Sequence, residues 1–137
     1  MDFDQTAALV RKHEGTVYRI YIDSVGVPTG GVGHAFHDGS VLPVDVVERL
    51  FYYDMYNAYK DYDRLKFDLS PVRKAVIINM LFNLGLIRFQ GFKRMIEAIR
   101  WNDCELVVKE MLDSKWATQV KGRAEELAMM FYDDKEI

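Results

Sequence analysis

Ser70-Pro71 opens a run of thirteen residues, Val72 to Leu84, that is apolar on nearly every side, and Gly85 closes it. Serine before proline is a strong helix start: the hydroxyl caps free N–H groups and proline fits the first turn. Glycine after the last apolar residue is an equally ordinary stop. A helix that is apolar all round cannot lie on a surface; other helices must surround it. The run is therefore expected at the centre of a helical bundle. Apolar spacing predicts the neighbours near 92–100, 103–112 and 121–131. Asn102 and Glu105 stand at capping-box spacing before the second of these. A further helix is expected from Pro43 to about Leu65, with Val46, Val47, Leu50, Phe51, Asp54 and Met55 at helical intervals.

The N-terminal third differs. Residues 4–13 read as a short helix with Ala7, Leu9 and Val10 turned inward and Gly15 as its stop. Thr16, Val17, Tyr18, Ile20, Tyr21 and Ile22 are β-formers, and Gly and Pro punctuate the residues after them. Two or three short antiparallel strands are expected over 16–34. A loop should come next over 35–42, with Asp38-Gly39 as its turn. The fold class is α+β: a small sheet lobe (about 14–42), a linking helix (43–65) and a larger helical lobe (about 66–137 plus 1–13). All 137 residues are read as a single domain. Two lobes make a cleft, and clefts hold sites.

Composition narrows the chemistry. Cys104 is the only cysteine, so no disulfide can form within the chain, and a lone thiol argues against a cysteine zinc site; a small core residue is expected there. His13, His34 and His37 have no carboxylate or thiol array at ligand spacing, so neither metal nor cofactor is expected. No apolar run approaches the roughly 18 residues of a membrane span. The start, Met1-Asp2-Phe3-Asp4, lacks the basic and apolar regions of a secretory signal, which implies folding in a cytoplasm. Net charge is −3, yet residues 73–101 hold six basic side chains against Glu97 alone. Such a segment either faces an anionic ligand or is a solvated helix face. The overall negative charge and the lack of an aromatic–basic module argue against nucleic acid.

Glu14 and Asp23 stand with eight residues between them, Thr29 comes after five more, and Gly30-Gly31-Val32-Gly33-His34 is next. Singly, each residue has an ordinary structural role: a solvated helix-end Glu, a turn Asp, a strand Thr. Together they match the needs of glycoside hydrolysis. One protonated carboxyl donates to the leaving oxygen, and a second, ionised carboxylate assists attack across the scissile bond. A neutral hydroxyl beside the second can hold the attacking water. Glycines let backbone or sugar approach closely.

This constellation resembles the phage-type lysozymes of the T-even kind, the family 24 muramidases. The likeness continues through Leu50-Phe51-Tyr52-Tyr53-Asp54, the central Arg73–Gly85 segment, Gly91-Phe92, Ser114-Lys115-Trp116 and Arg123-Ala124. It implies an inverting endolysin or virion-associated lysin that cuts the β-1,4 bond between N-acetylmuramic acid and N-acetylglucosamine in bacterial peptidoglycan. It also implies a lysozyme-like fold and a monomer, made in the host cytoplasm without stable membrane insertion. By the same resemblance Glu14 is the general acid, Asp23 assists attack and Thr29 positions the water. Gly31 and Asn83 contact substrate, and Asn83 replaces a glutamine. Arg123 pairs with the catalytic Glu, and His34 pairs with Asp54. Phe82 and Trp116 fall at core positions. Two departures stand out: the stretch between Gly-His and the linking helix is short, and the chain is acidic where the best-known member is basic. The rival readings are a catalytically weak peptidoglycan-binding domain and a helical interaction module.

Overall fold

A computed structural model describes residues 1–136, which divide into two compact units, Met1–Val44 and the remainder from Asp45. The first begins with α1 (Phe3–Glu14). Its start is a capping box: Asp2 accepts from the Gln5 N–H at 2.8 Å, and the Gln5 side chain accepts from the Asp2 N–H at 3.0 Å. Gly15, at φ 71°, ends it with an N–H bond to the Arg11 carbonyl. Three antiparallel strands come next in sequence order, β1 (Val17–Ile22), β2 (Pro28–Gly31) and β3 (His34–Ala35). Tyr21 faces Thr29 and Ile22 faces Pro28, with a bulge between Tyr21 and Val17. Thr29 also faces Ala35, so β2 is the central strand. The expected inward face of α1 is not buried: Leu9 is 41% and Val10 49% exposed. Strands of two to six residues are too small to cover a helix. The turn at Asp38-Gly39 is present, with Gly39 at φ 83°.

The second unit is helical. It comprises α2 (Val44–Leu65), α3 (Pro71–Leu84), α4 (Leu86–Gln90), α5 (Lys93–Arg100), α6 (Cys104–Leu112), α7 (Lys115–Val120) and α8 (Gly122–Asp133). α3 is the expected central helix. Ser70 caps it, Pro71 sits in its first turn, and Val76, Ile77, Ile78, Met80 and Leu81 are buried. Around them close Phe89, Met95, Val107, Met111, Trp116, Leu127 and Phe131. Burying one side chain of this size contributes about 1.5–3 kcal/mol, so this cluster dominates the unit's stability. Arg73 ties α3 to the end of α8. Its guanidinium donates to the Phe131 carbonyl at 2.8 Å and the Tyr132 carbonyl at 3.3 Å, a cation meeting the negative end of a helix.

Four further expectations need correction. Helices α4 and α7 are additional; they are five and six residues long, too short to show apolar periodicity. The cap of α6 is Asp103, which accepts from the Leu106 N–H at 3.2 Å, and not Asn102. Asn102 instead takes a left-handed conformation, φ 55°, that reverses the chain one residue earlier. Cys104 is half-buried, its Sγ 3.3 Å from Arg73 Nη2, at the edge of the core. Phe82 is 42% exposed, edge-on to Phe51, because its side of α3 points away from the bundle centre.

Candidate active site

Glu14 is the last residue of α1, and Gly15 turns the chain directly into β1. Its carboxylate lies against Gly33. A methyl group built on Gly33 would stand 2.6 Å from Glu14 Oε2 and 2.8 Å from its carboxyl carbon. Gly33 also has φ 63°, so both backbone and space demand glycine there. Gly31 has φ 62° as well, but nothing lies within 4 Å of its missing side chain. It turns the chain and leaves the space beside the turn open.

Asp23 heads the β1–β2 connection. One carboxylate oxygen, Oδ1, accepts from the Val25 N–H at 2.9 Å and the Val27 N–H at 2.8 Å. The Asp23 N–H in turn donates to the Val27 carbonyl at 2.9 Å. That wrapping holds the side chain rigidly and leaves Oδ2 without a protein hydrogen bond among the described residues. Thr29 is buried, and its hydroxyl donates to the Val27 carbonyl at 2.9 Å. With its proton spent on the backbone, Oγ1 presents lone pairs and can accept from a water. Asp23 and Thr29 thus converge on Val27, while Glu14 meets the turn that leaves β2. All three are organised around one four-residue strand.

Of the remaining predicted residues, His34 begins β3 and packs edge-on to Phe36 at 4.8 Å between ring centres. Asp54 lies on α2, in the other unit, in a shallow depression with Phe82 and Gly85. Asn83 accepts from the Trp116 indole N–H at 2.6 Å, which leaves its own NH2 group for another partner. Trp116 is buried, as expected. Arg123 is held by Asn79: Nε and Nη2 both reach its Oδ1, at 2.9 and 2.5 Å. Arg123 and Asn79 border a groove of about 300 Å³ with Phe51, Met55 and Phe82. The residues that sequence reasoning passed over are therefore Asn79 and Val27, and for Gly33, where close approach was expected, the approaching group is the Glu14 carboxylate. Val27 acts only through its backbone and carried no signal.

The sequence profile of the family described as "Phage lysozyme" matches residues 11–129. The chain is also similar to the pre-baseplate central spike protein Gp5 of Enterobacteria phage T4. The two are 26% identical over an alignment 156 positions long, gaps included, that covers 90% of this chain. The chain spans only about a quarter, 27%, of that protein's length. The matched segment contains Glu14, Asp23, Thr29 and the whole central helix, and the fold is α+β with a small antiparallel sheet. The chain belongs to the phage lysozyme family.

Proposed function

We propose that this chain is a muramidase that hydrolyses the β-1,4 bond between N-acetylmuramic acid and N-acetylglucosamine in bacterial peptidoglycan, with inversion. Glu14 protonates the leaving oxygen, and Asp23 draws a proton from the attacking water held by Thr29. The observation that carries this reading is the shared anchor at Val27. It fixes one Asp23 oxygen, leaves the other without a protein hydrogen bond among the described residues, and takes up the Thr29 hydroxyl proton so that Oγ1 can act as an acceptor. A water between a free carboxylate oxygen and a hydroxyl acceptor is oriented and activated by the same pair. The roles that family membership suggests for Gly31, Asn83, Arg123, His34 and Asp54 belong to the same proposal, as does the whole chain working as one lysozyme-like domain. The likeness to a spike protein supports a lysin carried on a virion or released at lysis.

The test is digestion of purified peptidoglycan with mass analysis of the fragments. Products with reducing N-acetylmuramic acid ends are expected, and NMR of fresh product should show the α-anomer first. Reducing N-acetylglucosamine ends, or the β-anomer first, would overturn the bond or the stereochemistry assigned.

A further inference from the structure

The basic excess of segment 73–101 separates into two groups in the folded chain. Arg73 caps α8, Lys74 lies over the rings of Tyr59 and Tyr62, and Arg100 lies over Phe67. Those three charges serve packing. Arg88, Lys93 and Arg94 instead line a single groove of about 650 Å³, joined there by Lys115 from α7. Arg94 is paired with Glu110 at 3.4 Å. Arg88, Lys93 and Lys115 are exposed and have no ion-pair partner among the described residues. Asp113 is the one other acidic group of the groove. Three unpaired cations from three helices around one concavity, on a chain of net charge −3, make a local positive field.

We propose that this groove binds a phosphodiester polymer of the bacterial envelope, gripped by Arg88, Lys93 and Lys115. The volume lies within the roughly 300–1,000 Å³ usual for ligand sites, too large for a lone ion and sufficient for a run of polymer. The apolar sides of Leu84 and Phe92 offer contact to the carbon backbone between phosphates. Free charges of one sign gathered in one groove suit a ligand that repeats the opposite sign, whereas peptides bring both. Glu14, Asp23 and Thr29 do not line the groove, so binding and hydrolysis can fail independently.

Long-chain inorganic polyphosphate is the probe, with poly-glutamate as the carboxylate comparison. The wild-type chain should bind polyphosphate with an affinity that falls steeply with salt. Arg88→Gln, Lys93→Gln and Lys115→Gln combined should weaken it by about tenfold or more and flatten the log–log salt slope by about two, since each polyanion phosphate contact contributes roughly 0.7. Lys109→Gln, a cation of the same unit outside the groove, should change neither. The triple variant should digest walls stripped of phosphodiester polymer as the wild type does, yet be retained less on unstripped walls. A folded triple variant that binds polyphosphate like the wild type overturns the proposal, and so does poly-glutamate binding equally well. Intact polyphosphate binding with no hydrolysis of any wall would instead sink the muramidase assignment and leave the groove standing.

Discussion

At the scale of single residues, the site rests on a few atoms whose loss has different signatures. Gln at position 14 keeps the shape of Glu14 but cannot act as an acid. Glu14→Gln should therefore abolish hydrolysis with an unchanged melting curve; near-normal turnover by a folded variant would remove Glu14 from the mechanism. Gly31 and Gly33 allow a sharper comparison, because both have positive φ but only Gly33 touches Glu14. Each Gly→Ala change should cost about 1–2 kcal/mol in backbone strain. Gly33→Ala alone should also displace the Glu14 carboxylate and lower kcat far beyond its stability loss. A folded Gly33→Ala variant with near-normal kcat would show that the Gly33 contact has no part in catalysis. Cys104 is a third case. Burial pushes its thiol up from the ordinary value, and the Arg73 guanidinium opposes this less strongly. A raised folded pKa means the neutral thiol stabilises the fold below the unfolded value, and that this gain is lost as pH rises through the folded one. Alkylation of folded chain should accordingly require more alkaline solution than alkylation of the unfolded chain. Identical pH profiles for the two would contradict the burial.

At the scale of elements, the helix starts decide where the chain turns. Asp103 caps α6 and Ser70 caps α3. Replacing either by Ala should cost about 1 kcal/mol by chemical denaturation. Asn102→Gly should cost nothing or stabilise slightly, because glycine accepts φ 55° freely. If Asn102→Gly were the more damaging change, Asn102 and not Asp103 would be the cap. The sequence points to a cap one residue too early because Asn and Asp are equally good caps and adjacent here. Only the left-handed turn at Asn102, set by the approach of α5 to α6, separates them. The central helix needed no such help, since Ser-Pro at one end, Gly at the other and apolar side chains all round admit one arrangement. Helices α4 and α7 are the opposite case: one or two turns of helix carry no periodicity, and packing beneath α3 and α8 forms them.

At the scale of the molecule, every hydrophobic residue of the buried core falls between Ala58 and Phe131. The unit from Asp45 therefore has the means to fold without the first unit. A fragment of residues 45–137 should show a cooperative thermal transition and yet have no lytic activity, for Glu14, Asp23 and Thr29 lie outside it. A fragment that behaves as a molten or unfolded chain would show that the first unit is needed for the core to close. No helix of the described residues is long and apolar enough to cross a membrane.

The α+β class, the central helix, the order of the longer elements and the Glu–Asp–Thr constellation were legible in the residues themselves. Each depends on local physics: apolar period, cap chemistry, glycine punctuation, or a spacing of two carboxylates and a hydroxyl that matches the needs of glycoside hydrolysis. Family membership came from the same residues. What the tertiary structure alone decided are the partners. Asn79 holds Arg123, Trp116 donates to Asn83, Gly33 makes room for Glu14, and the Val27 backbone unites Asp23 with Thr29. The division of the basic segment into packing charges and groove charges is of the same kind. A linear chain shows which groups can bond or carry charge, but hydrogen bonds act over about 3 Å and cations gather by convergence of distant helices. Those proximities exist only once the core has closed.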